Sequence, residues 1–168
     1  AGNVLVLVGT TATDLGGAHV TELAGGILPG GTGEIPLLDL QAGPANAKAV
    51  ARAIRTGSVC SAHDLSEGGL LVAAAEMGFA GRLGIELELG AVPGDSKNPM
   101  VTAFAETPSR YLLEVAPEHV DAVVAALADV PHAVVGRVHE DGVLRVSALG
   151  LEVSLDALRQ RWLAPLDW

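Results

Sequence analysis

The stretch Ser61-Ala62-His63-Asp64-Leu65-Ser66-Glu67-Gly68-Gly69-Leu70 decides how this chain is read. Ahead of it stands a short apolar run, Ser58-Val59-Cys60. Behind it comes Leu70-Leu71-Val72-Ala73-Ala74-Ala75-Glu76-Met77, with no charge before Glu76. The first run reads as a strand and the second as a buried helix, so the polar residues between them form the turn that joins strand to helix. A helix start leaves backbone N–H groups without intrahelical partners. Two readings follow. In one, those N–H groups, with Asp64, Ser66, Gly68 and Gly69 around them, hold an anion or a metal-bound phosphate. In the other, Asp64 or Ser66 caps the helix and nothing binds. The local pattern leaves both open.

Working outward, the chain alternates strand-like and helix-like segments. Upstream, Asn3 to Val8 is continuously apolar and β-branched, which predicts a central strand buried on both faces. A second Gly-Gly turn follows in Thr13-Asp14-Leu15-Gly16-Gly17, then a short helix over 18–24 and a glycine-rich loop over 25–33. Residues 34–41 read as an extended connector. A helix over 45–55 has Ala47, Val50, Ala51 and Ile54 as its apolar stripe and Pro44 in its first turn. Downstream, Leu83 to Leu89 alternates apolar residues with Glu86 and Glu88 as a half-buried strand does. A short helix over 100–104 and a strand over 111–115 follow. Pro117 opens a helix carrying Val120, Val123, Val124 and Leu127. Residues 133–138 and 143–146, joined by Glu140-Asp141-Gly142, read as a hairpin. A short strand ends at Val153, and Ser154 caps a last helix with Leu155, Leu158 and Trp162 on one face. The expected fold is α/β (α+β): a mixed sheet covered by helices, with residues 1–168 forming a single domain.

Composition narrows the function. Acidic residues outnumber basic ones 20 to 10, for a net charge of −10, so binding to nucleic acid is disfavoured. Any phosphate site must then rely on backbone N–H groups, a cation or another domain. The mean hydropathy of +0.41 reports an aliphatic core, since no apolar run approaches the ~20 residues of a membrane span. The single cysteine, Cys60, excludes an internal disulfide and fits a cytoplasmic protein; within its apolar run it reads as a buried structural residue. No histidine has zinc-like spacing. Glu106 and Arg110 read as an ion pair at the start of a strand. The chain begins Ala-Gly, without an initiator Met, and reads as a domain of a longer protein.

Three stretches together resemble phosphoribosylformylglycinamidine synthase. Ser61 to Leu70, followed by Val72-Ala73-Ala74-Ala75-Glu76, is similar to the family's His-Asp…Gly-Gly-Leu signature. Thr13 to Gly17 is similar to its first Gly-Gly turn. Phe104-Ala105-Glu106-Thr107-Pro108-Ser109-Arg110-Tyr111 is similar to its third motif. Residues 154–162 are also similar to its C-terminal helix. The resemblance implies an AIR-synthase-like C-terminal domain, from the second half of an ATP-dependent C–N ligase of purine biosynthesis. That enzyme turns formylglycinamide ribonucleotide and glutamine-derived ammonia into the amidine, with ATP and magnesium. The implied partners are the N-terminal synthetase domains of the same chain and a glutaminase subunit or domain. The pattern after Asp64 favours this enzyme over its alternatives, aminoimidazole ribonucleotide synthase, selenophosphate synthetase and thiamine-phosphate kinase. A non-catalytic interdomain module is a further alternative.

Carried over by position, the resemblance implies nucleotide or substrate contacts at Gly16, Gly17, Asp64, Ser66, Gly68, Gly69, Glu106 and Thr107, with Asp64 a magnesium ligand. It places no catalytic residue in this chain, because the catalytic His and main ATP ligands belong to the N-terminal domains; His63 is not the base. Pro108 stands where the first-half copy has Gln, and Ala18 and Ala105 stand where Ser is frequent. These departures imply a degenerate site in this half, and an inactive isolated fragment.

Overall fold

The computed structural model describes residues 1–166. Its centre is the run expected there: β1 (Val4–Val8) is buried at every position. Val4, Val6 and Val8 enter one core and Leu5 and Leu7 another, so this one strand fills two layers. Each fully buried Val or Leu contributes roughly 1.5–3 kcal/mol of hydrophobic stabilisation.

Around β1 the sheet has seven strands in the order β2-β4-β1-β5-β3-β6-β7. They are β2 (Val59–Asp64), β3 (Gly84–Leu87), β4 (Tyr111–Val115), β5 (His132–His139), β6 (Val143–Val146) and β7 (Leu151–Ser154). All pairs are antiparallel except β3 with β6, which makes the sheet mixed, as expected. On one face lie α3 (Gly69–Gly81), α4 (Pro99–Phe104) and α6 (Leu155–Leu163). On the other lie α2 (Ala42–Arg55) and α5 (Val120–Ala126), over the β2-β4-β1-β5 half only. On that same face an alternating charged row runs in register from β5 across β3, β6 and β7: Arg137, Glu86, Arg145, Glu152. Opposite charges side by side let that surface face water.

Helix α3 is apolar all round because the sheet, α4 and α6 enclose it. The last helix is capped as expected, Ser154 Oγ accepting from Ala157 N at 3.4 Å. Trp162 sits at its edge, half exposed and packed on Phe79 with ring centroids 5.5 Å apart and the planes tilted by 44°. No helix among the described residues is long and apolar enough to cross a membrane.

Two expectations fail here. Residues 133–146 are not a hairpin, because β3 lies between β5 and β6 and pairs with both. The 140–142 turn instead crosses the start of β3. A Cβ on Gly84 would stand 2.2 Å from Asp141 Oδ1 and 3.0 Å from the Val143 carbonyl, so glycine lets the turn cross here with the Asp141 side chain in place. The stripe of α2 is also rotated from the expected one. Its buried residues are Gly43, Asn46, Ala49, Val50 and Ala53, and Ile54 is exposed. Ala49 and Ala53 share one core with Val4, Val6 and Val8 of β1 and with Leu113 and Val115 of β4. Asn46 is drawn inside by a hydrogen bond from its Nδ2 to the Ser109 carbonyl at 3.0 Å.

Candidate functional site

The Ser61–Leu70 stretch meets the rest of the site at one end of the sheet. Strand β2 runs through Asp64, so His63 and Asp64 are strand residues and the turn proper is Leu65 to Gly68. Strand β2 is an edge strand with alternate residues exposed, and this leaves Cys60 exposed where a buried thiol was expected. The ring of His63 faces α3. Its Nε2 lies 3.2 Å from Glu76 Oε2 and its Nδ1 2.6 Å from the Asp64 carbonyl. His63 therefore ties β2 to α3.

Asp64 does not cap that helix. Its Oδ2 accepts from Ser66 Oγ at 2.8 Å. That bond is the main cause holding its carboxyl below the usual 3.8; slight burial opposes it, and the residue's own N–H and His63 assist. The cap comes from the distant Glu106, in the loop between α4 and β4. Glu106 Oε1 accepts from Gly68 N at 2.9 Å and from His19 N at 3.0 Å. His19 is the first residue of α1 (His19–Ala24), directly after the other Gly-Gly turn. One carboxylate oxygen thus joins both turns, and the expected helix cap at Asp64 or Ser66 gives way to a tertiary one. A backbone bond from Gly69 N to the Ser66 carbonyl, 3.1 Å, closes the turn.

The glycines of the two turns permit close packing. Gly16 donates its N–H to the Glu34 carbonyl at 2.8 Å, and a Cβ there would stand 2.5 Å from the Gly33 carbonyl. Gly69, at φ +62°, would meet the Ala105 carbonyl at 2.4 Å. Gly17 and Gly68 have φ of +80° and +75°. Thr107 Oγ1 accepts from Ala12 N at 3.0 Å, fastening the third motif to the loop after β1.

Arg110 is 1% exposed, and it does not form the expected ion pair with Glu106. Its Nε donates to the Thr107 carbonyl at 3.0 Å and its Nη1 to Thr11 Oγ1 at 2.9 Å, while Nη2 donates to the Ala105 carbonyl. The guanidinium folds its own loop into a fixed shape. Burial lowers it to about 10 and the charge of Glu106 works against that, so it stays protonated at neutral pH. Sequence reasoning missed this role because acceptors at 105 and 107 are main-chain carbonyls, which any residue supplies.

Asp64, Ser66 and Glu106 line one open cleft of about 430 Å³ with Ser109, Arg110 and Tyr111. Gly68 lines an adjoining apolar groove with Val20, Leu23 and Phe104. Thr107 lines a third, smaller pocket. The carboxylates of the cleft differ: the Asp64 side chain is 65% exposed, that of Glu106 17%. Among the described residues no three His, Cys, Asp or Glu side chains gather to hold a metal by themselves. Asp64 could offer magnesium one carboxylate ligand, and the remaining ligands would have to come from outside these side chains.

Known proteins are similar to this chain in sequence and fold. Phosphoribosylformylglycinamidine synthase subunit PurL of Moorella thermoacetica is 36% identical over 165 residues, covering 96% of this chain and 22% of that protein. PurL of Corynebacterium ammoniagenes is 32% identical over 164 residues, covering 96% and 20%. A structure of Thermotoga maritima PurL superposes with a TM-score of 0.80 at 27% identity, over 94% of this chain and 28% of that one. The chain thus spans about a fifth of the length of these curated relatives. The profile of AIR synthase related protein, C-terminal domain, matches residues 1–148, and with the seven-stranded mixed sheet and both Gly-Gly turns inside that span, the chain belongs to this family.

Proposed function

We propose that residues 1–168 form one domain of a PurL-type ligase, a cytoplasmic ATP-dependent enzyme of purine biosynthesis that converts formylglycinamide ribonucleotide to the amidine. In that reaction the γ-phosphoryl group of ATP passes to the amide oxygen and ADP leaves. Ammonia from a glutaminase then attacks the amide carbon, loses its surplus protons, and the C–O bond breaks to release phosphate. The observation that carries this reading is the 0.80 superposition on Thermotoga maritima PurL complexed with FGAR, joined to sequence identity above 30% with other PurL subunits. The same enzyme is also known complexed with ATP and as PurLQS, which supports a nucleotide ligand and a glutaminase partner.

In this domain the reading is an auxiliary nucleotide site without turnover. Asp64 stays ionised and exposed on the cleft, free of any capping duty, with Ser66 beside it. Magnesium bound there would neutralise phosphate charge; Asp64 would supply its protein ligand and Ser66 would orient that carboxylate. The N–H groups of Gly68 and His19 are already given to Glu106, so the glycine turns shape the cleft wall and the phosphates depend on the metal. The connector carries exposed Ile35, Leu37, Leu38 and Leu40, an apolar surface that suits contact with the other synthetase domains of the polypeptide.

The test is an ammonia- and ATP-dependent assay of amidine formation. The full-length protein is expected to turn over and residues 1–168 alone are not; turnover by the isolated domain would overturn the assignment. Calorimetry of the full-length protein with magnesium and ADP then addresses the auxiliary site, where Asp64→Ala is expected to abolish one binding event.

A further inference from the structure

Tyr111 ends the third motif, yet the resemblance assigns it no contact. It opens β4 between two strands, facing Val8 of β1 on one side and Asp64 of β2 on the other. Directly opposed residues of an antiparallel pair send their side chains to the same face, with Cβ atoms about 4.5–5.5 Å apart. The side chain of Tyr111 therefore stands beside the Asp64 carboxylate. It is partly buried against the core of Val6, Val8 and Leu113, and it lines the same cleft as Asp64 and Ser66. A tyrosine so placed has its apolar body fixed in the core and a polar tip left for a partner.

The fold does not use that tip. Among the described residues Asn46 Oδ1 is the one side-chain polar atom both buried and unpartnered, so the unpartnered Oη of the half-buried Tyr111 is open to solvent. The other side-chain donors on the cleft wall are committed elsewhere. Ser66 Oγ donates to Asp64, and the Arg110 guanidinium donates to Thr11 and two carbonyls. The Ser109 hydroxyl turns toward α2, where a Cβ on Gly43 would stand 3.0 Å from its oxygen. The remaining polar side chains, Asp64, Glu67 and Glu106, are carboxylates and only accept when ionised. Tyr111 is left as the free side-chain donor of a cleft whose ligand presents phosphate oxygens.

We infer that Tyr111 is a binding residue of this cleft, its phenol O–H donating to an oxygen of the phosphate that magnesium holds at Asp64. The metal takes its carboxylate from β2 and the phosphate takes its hydrogen bond from β4, so two paired strands share one metal–phosphate unit. The inference rests on the reading of the cleft as a magnesium–nucleotide site and supplies the side-chain donor which that reading lacks. Removing the donor leaves the metal ligand in place, so binding weakens where loss of Asp64 abolishes it.

The test is calorimetry of the full-length protein with magnesium and ADP, in the wild type and in Tyr111→Phe, which keeps the buried ring and removes only the O–H. The binding event that Asp64→Ala abolishes is expected to weaken about tenfold, the worth of a hydrogen bond to a charged group, and a loss below about threefold overturns the inference. The urea midpoint of Tyr111→Phe is expected to match the wild type, because the ring still fills its place in the core. Absence of any Asp64-dependent event in the wild type overturns the nucleotide reading of the cleft, and the inference falls with it. A crystal structure of the complex with magnesium and ADP separates direct contact from an indirect effect. Oη within hydrogen-bond distance of a phosphate oxygen supports the inference; Oη on the base, on the ribose or on water alone overturns it.

Discussion

Glu106 and Asp64 face the same cleft and do opposite work. Glu106 arrives from the loop before β4 and spends one oxygen on two backbone N–H groups from different parts of the chain. Behind it, Arg110 ties Thr11 to the Ala105 and Thr107 carbonyls. Asp64 touches only its own turn, through Ser66 and its neighbour His63. The buried Arg110 and the partly buried Glu106 build the cleft, and the exposed Asp64 is left to the ligand. Two acidic residues that look alike in the sequence are separated by what they touch.

The comparison breaks most visibly at Arg110. Replacing it with methionine keeps bulk but leaves three acceptors without their donor, and at about 1–3 kcal/mol for a buried acceptor left unsatisfied a loss of roughly 3 kcal/mol or more is expected by urea denaturation. A loss below about 1 kcal/mol would show that the loop holds its shape without the guanidinium. Next comes Glu106→Ala, which strands the N–H groups of Gly68 and His19 and removes a negative charge from two helix starts; about 2 kcal/mol is expected in the same measurement. Glu106→Gln should recover most of it, since the amide oxygen still accepts.

On the other side of the comparison, Asp64→Ala should change stability by no more than about 0.5 kcal/mol while abolishing the magnesium–ADP binding proposed above. A large stability loss would make Asp64 structural after all. The smallest effect sharpens the contrast. Ser66→Ala removes the main bond that lowers the Asp64 carboxyl, so its midpoint should rise toward 3.8, read by carboxyl NMR titration. The sign follows from the lowered value. The bond's small contribution to stability is complete above the unfolded value of 3.8 and fades as pH falls through the folded one, so the variant should differ from wild type only above that acid range.

Much of the fold was legible in local pattern. Strand β1 follows from a continuous apolar, β-branched run buried on two faces, and the strand over 111–115 from an apolar Tyr-Leu-Leu run. Helix α3 follows from an apolar run too dense to be exposed. The hairpin expectation failed because Glu-Asp-Gly makes a tight turn in either topology; which strand fills the gap depends on Gly84, 56 residues before Glu140 in the chain. Asn46 was absent from the expected stripe because nothing local marks a polar helix residue as buried, and its partner is a carbonyl at position 109.

By itself the sequence determined the strands, the helices and the three motifs that mark the family, since these depend on side-chain periodicity and residue type along a local stretch. Only the tertiary structure decided which carboxylate caps α3, why Arg110 is buried, and that α2 faces the loop beside Asp64. Each of those rests on a hydrogen bond between residues far apart in the chain, Arg110 to Thr11 among them, often to a main-chain group that leaves no mark in the sequence.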